Sequence, residues 1–125
     1  MKRLTLVVFC LFAMTVFFGT DCRAEDSKDT FIHFTVLPQK MPSGADSWPV
    51  VMEFKTKVME LAGGFTELGP SRGGSLHPDS VHHEENLSFL IAADRDISAD
   101  LKKLITSYFN KENAFILVWQ GKMVR

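Results

Sequence analysis

Cysteine is nearly absent from this chain. The only two, Cys10 and Cys22, both fall within the first two dozen residues. Beyond residue 24 there is no thiol, which excludes disulfides, thiolate zinc sites and cysteine nucleophiles from the remainder. A surplus of charge is missing too. Lys and Arg number 14 against 15 Asp and Glu, a formal charge of -1, so there is no polycationic surface for nucleic acid. Phosphate-binding and hydrolytic signatures are lacking. Neither Gly63-Gly64 nor Gly73-Gly74 leads into Lys-Ser/Thr or a dinucleotide pattern, and no G-x-S-x-G frames Ser71, Ser75 or Ser80. No HExxH pair, internal repeat or low-complexity tract occurs. With 46% apolar and 23% charged residues among 125, the composition is that of an ordinary globular chain, neither disordered nor fibrous.

One long apolar run is present, Leu4 to Phe18, after the basic start Lys2-Arg3. Gly19-Thr20 breaks it, and Cys22-Arg23-Ala24 places small residues at −3 and −1 of a cleavage point. This is the three-part pattern of a secretory signal peptide, and it is shorter than the ~20 residues of a spanning helix. The expectation is a signal peptide at 1–24, cleavage after Ala24 and a single domain at 25–125, periplasmic or secreted, with no membrane span after cleavage. An uncleaved anchor and acylation of Cys22 are the alternatives; Asp21 opposes the second, since lipid attachment prefers a small uncharged residue there. Cleavage removes Lys2, Arg3 and Arg23 with Asp21 and moves the formal charge from -1 to -3.

Beyond the leader, Phe31–Leu37 alternates Ile32, Phe34 and Val36 with His33 and Thr35, the pattern of a half-buried strand whose apolar set faces the core. Ser47 is placed to cap a helix whose stripe is Trp48, Val51, Phe54, Val58, Leu61 and Ala62, with Lys55, Lys57 and Glu60 off that face. Gly63-Gly64 ends it. Phe65–Leu68 reads as a short edge strand and Gly69–Glu85 as an irregular, solvated loop. Asn86–Ala93 is a buried strand. Ser98 caps a second helix with the stripe Leu101, Leu104, Ile105, Tyr108 and Phe109, and Ala114–Trp119 is a last strand that the polar tail extends. The order β-α-β-β-α-β predicts an α+β, ferredoxin-like sandwich, a four-stranded antiparallel sheet with two helices on one face.

Such a fold leaves one sheet face open. Phe115, Leu117 and Trp119 on the last strand, placed beside His33 and Thr35, give that face more apolar area than a solvated sheet needs. A homodimer through the open face is one way to cover it; the tail or the Gly69–Glu85 loop is another. His33 and Glu85 are the acid–base candidates. His77, His82 and His83 are imidazoles near carboxylates, but adjacent His82 and His83 point to opposite strand faces and Pro78 separates His77 from them, so no metal site and no cofactor is expected. Asn86-Leu87-Ser88 fits a glycosylation sequon inside a buried-looking strand.

Residues 31–119 resemble an uncharacterised family of small, often exported bacterial proteins, a domain of unknown function. Trp48 and Phe54 match its first helix and Gly63-Gly64-Phe65-Thr66 its glycine–aromatic–threonine step. Gly74-Ser75-Leu76 lies at its turn, with Leu76 where the family has tryptophan. Glu85 matches the glutamate before its strand; Phe109, Glu112 and Phe115 follow its last motif loosely, with Lys111 at the glutamine position. The resemblance implies an α+β fold and supplies no activity. The sequence thus fits an exported binding or interaction module better than an enzyme. The competing class is a small cleft enzyme of the dimeric α+β barrel type using His33 or Glu85.

Overall fold

A computed structural model describes residues 27–124; the expected signal peptide, with Cys10, Cys22 and the expected cleavage point after Ala24, lies outside them. Six elements follow in the order β1 (Ser27–Pro38), α1 (Trp48–Ala62), β2 (Thr66–His77), β3 (Ser80–Ala93), α2 (Ser98–Phe109) and β4 (Ile116–Val124). They form one antiparallel sheet of order β2-β3-β1-β4. Both helices pack on one face, the ferredoxin-like arrangement that the element order predicts.

Both helices begin in the same way. Asp46 Oδ1 accepts the Trp48 N–H at 3.0 Å, and Asp96 Oδ1 accepts the Ser98 N–H at 2.8 Å. A carboxylate thus meets an otherwise unpaired first-turn donor and the positive end of the helix dipole. The serines expected as caps do other work. Ser47 donates its hydroxyl to the Pro38 carbonyl at 2.6 Å, and Ser98 is already helical. Gly63 closes α1 in the left-handed region at φ 79°, donating to Met59 O.

The core lies between this helical layer and one side of the sheet. Val51, Phe54 and Val58 of α1 and Leu101, Ile105 and Phe109 of α2 close on Leu37, Leu87, Phe89 and Ile91. Phe54 meets Phe89 and Phe109 edge-on, at ring separations of 5.9 and 6.3 Å. Burial of each such side chain contributes about 1.5–3 kcal/mol.

Three further expectations are corrected. The segment Gly69–Glu85 is not an irregular loop. It is the outer part of a long β2–β3 hairpin that turns at Pro78-Asp79. Its side chains are mostly exposed on both sides, so no hydrophobic alternation marks it, while Gly69 at φ 97° makes the bulge that re-aims β2 between Glu67 and Gly69. Lys55 is not off the buried face. Its ammonium lies 4.6 Å from the Trp48 ring centre and pairs with Glu67, which ties α1 to β2. The third correction concerns the two faces of β1, and it decides where the candidate site residues lie.

Candidate functional site

The register of β1 against β3 sets His33 opposite Ile91, Thr35 opposite Phe89 and Leu37 opposite Leu87. Directly paired residues share a face, so His33, Thr35 and Leu37 lie under the helices. Ile32, Phe34 and Val36, expected in the core, are half-buried on the open face. The reason is competition between strands. β3 has the larger apolar set in Leu87, Phe89, Ile91 and Ala93, the helices pack on that set, and β1 must follow its partner's parity.

His33 is fully buried. Its Nε2 accepts the Ile97 N–H at 3.0 Å, and its Nδ1–H faces the Ile91 carbonyl at 3.4 Å. The Asp96 carboxylate lies 3.3 Å from the same Nε2. Thr35, also buried, donates its hydroxyl to the Phe115 carbonyl at 2.8 Å. The polar side chains of His33 and Thr35 are therefore engaged with backbone partners. His33 joins β1 to the start of α2 and reaches no open cleft.

The open face collects the other candidates. Trp119 is paired with Ile32 and Leu117 with Phe34, while the Phe115 ring meets Phe34 edge-on at 6.2 Å. Phe115, Leu117 and Trp119 are 49%, 50% and 45% exposed, an apolar surface continuous with Ile32, Phe34 and Val36. Their neighbours on this face are Ile32 and Phe34, not His33 and Thr35 as expected.

Glu85 belongs to the opposite side. Its exposed carboxylate lies 3.9 Å from Arg72 Nη2, across the hairpin. It is six residues along β3 from Ile91, the partner of His33, about 20 Å at the usual strand rise. The two acid–base candidates thus share no site. Glu85 borders an open cleft of about 1060 Å³ whose other walls include Lys40, His83 and Lys111. Lys111 there is bonded to Glu84 at 2.9 Å.

The histidines divide by face. His77 and His82 share one side of the hairpin tip with ring centres 5.7 Å apart, whereas His83, adjacent to His82, points to the other. Among the described residues no three His, Cys, Asp or Glu side chains are grouped to hold a metal ion.

Sequence reasoning passed over one polar feature of the open face. Asn86 is 3% exposed, which removes it as a glycosylation acceptor, and its Oδ1 receives no hydrogen bond. It borders a cavity of about 420 Å³ that also reaches Phe34, Ser71 and Gly73. The available signal was an amide standing where a buried strand begins.

The molecule is therefore an α+β sandwich of the ferredoxin-like class, with an apolar outer sheet face. Solved structures share the fold. Those similar to this chain include the divalent cation tolerance protein CutA1 of Thermus thermophilus, at 12% identity and TM-score 0.56 over 72% of this chain and 82% of that one. CutA1 of Ehrlichia chaffeensis matches at 10% identity and TM-score 0.56, over 75% and 82%. CutA of Xylella fastidiosa matches at 14% and 0.52, over 74% and 83%. At these identities the likeness establishes the fold. No family model and no curated protein matches the sequence.

Proposed function

We propose that this protein is a small exported binding or interaction module whose working surface is the open sheet face, covered by a second copy of the chain. The supporting observation is the inversion of β1. The strand turns Ile32, Phe34 and Val36 outward and places a histidine and a threonine in the core. An outer face left to water would favour the opposite choice. Leu117 and Trp119 extend the outward set, and burying each would contribute about 1.5–3 kcal/mol. Two-fold symmetry doubles that gain against the loss of translational and rotational freedom.

Sedimentation of the purified protein tests this reading. A dimer is expected at micromolar concentration, and Trp119→Glu should yield a folded monomer. A wild type that stays monomeric at high concentration would remove the second copy from the proposal. The enzyme alternative needs His33 or Glu85 beside an enclosed pocket; the burial of one and the exposure of the other support the binding reading instead.

The names of the solved neighbours raise a second reading, contact with divalent cations. What favours it here is the His77–His82 pair on one side of the hairpin tip. Two imidazoles without a third protein ligand make a weak site. Calorimetry with zinc, copper and nickel should show only weak uptake; a submicromolar site abolished by replacing His77 and His82 together would promote this reading above the first.

A further inference from the structure

One cluster of polar side chains on the open face gathers at one end, around Asn86. The floor there is made by β2 and β3. Gly73 stands opposite Glu84, and Ser71 opposite Asn86. Gly73 has no side chain, and a Cβ at that position would lie 3.1 Å from Asn86 Nδ2. Any larger residue would therefore crowd the amide and narrow the cavity of about 420 Å³ that Asn86 borders. This volume falls in the range of small-molecule pockets.

The two walls of the cavity differ. On one side lie Phe34 and Phe115, ring against ring edge, with Val36 beside them. On the other, Ser88 donates to Ser71 Oγ at 2.6 Å, so the Ser71 hydroxyl proton is left to point elsewhere. Asn86 is 3% exposed, its Nδ2 makes one long bond of 3.5 Å to the Glu84 carbonyl, and its Oδ1 has no donor. Buried amide oxygens are almost always paired in folded proteins, so an orphan bordering a cavity calls for an incoming N–H or O–H. At the rim Lys111 pairs with Glu84 at 2.9 Å and Arg72 with Glu85 at 3.9 Å, so each cation of the lining is matched by a carboxylate.

We propose that this cavity is a binding site for a small, flat, uncharged molecule carrying an amide-like edge. Its planar body would lie against Phe34 and Phe115, a turn of the enclosed Asn86 amide would bring Oδ1 to its N–H, and its carbonyl would accept from Ser71. The proposal rests on the reading of the open face as the working surface, and it adds the chemical class of ligand that this surface takes.

The probes are benzamide, with toluene as the apolar control and benzoate as the charged one, added to the purified isotope-labelled protein and followed by NMR. Benzamide should give saturable shifts at Phe34, Ser71, Gly73 and the Asn86 side-chain amide, with a roughly millimolar Kd for a ligand so small. Toluene and benzoate should each bind about tenfold more weakly, the worth of one well-placed hydrogen bond or of one desolvated charge. Asn86→Leu should erase the preference for benzamide over toluene, and Gly73→Leu should abolish binding of all three. Equal binding of benzamide and toluene to the wild type, or no saturable shift at these residues, overturns the proposal without reference to any variant. Sedimentation of the same samples reports separately on self-association, so a monomer that binds benzamide refutes the second copy alone, and a monomeric Trp119→Glu variant that ignores it refutes the ligand class alone.

Discussion

The Nε2 of His33 accepts the backbone N–H of Ile97 across 3.0 Å, which fixes the middle of β1 to the residue that precedes α2. Both residues are fully buried, so the bond is shielded from competing water. The imidazole acts here as a long-range helix cap, supplied from a strand 64 residues away in sequence.

Replacing His33 by leucine should therefore destabilise the fold even though leucine suits a core. The Ile97 N–H would be left buried without an acceptor, a loss of about 1–3 kcal/mol. A denaturant midpoint measures it. Nitrogen NMR at alkaline pH should place the ring proton on Nδ1, since Nε2 serves as acceptor; a proton on Nε2 would show that the bond to Ile97 is not made.

Asp96 gives an acid-sensitive contribution. Hydrogen bonding from the Ser98 side chain, and then from the Ser98 backbone, holds its carboxyl below the ordinary value of 3.8. A carboxyl whose folded pKa is lowered stabilises the fold above its ordinary pKa and loses that contribution as pH falls through the folded value. Asp96→Asn should accordingly be less stable than wild type at neutral pH, and the gap should close in acid. Thermal unfolding of both proteins across the acid range checks this; an offset that does not change with pH would contradict it.

Gly69 sits at the β2 bulge with φ 97°, in the region that side chains rarely adopt. Gly69→Ala should cost about 1–3 kcal/mol through backbone strain alone, since no atom lies within 4 Å of the added Cβ. Gly64→Ala, with ordinary φ and equally open space, is the control and should stay within about 0.5 kcal/mol of wild type.

Export is read from the product itself. The intact mass of the accumulated protein should begin at Glu25 and carry no free thiol, because Cys10 and Cys22 both precede that point. A chain that retains Met1, or one acylated at Cys22, would refute cleavage after Ala24.

Much of the architecture was legible from local pattern. The stripes Val51–Phe54–Val58 and Leu101–Ile105–Phe109 have helical spacing, Gly63 marks where α1 stops, and the order of elements then restricts the sheet to few topologies. Three features were not legible, each for a reason outside its own segment. The outer hairpin has no apolar period because no helix covers it, so only the strand pairing Arg72–Glu85 and Gly74–His83 reveals it. Lys55 is buried because Trp48 and Glu67 happen to close on its ammonium.

The third feature decides where function is sought. By itself the sequence determined that β1 has two faces, one of Ile32, Phe34 and Val36 and one of His33, Thr35 and Leu37, because side chains alternate along any strand. Which face meets the helices was decided by pairing with β3, whose Leu87, Phe89 and Ile91 form the stronger apolar set. That tertiary choice buried His33 as a staple, turned Phe34 and Ile32 outward beside Leu117 and Trp119, and left Asn86 at the edge of a cavity. Periodicity constrains each strand alone, whereas the free energy of burial is shared by the whole sheet.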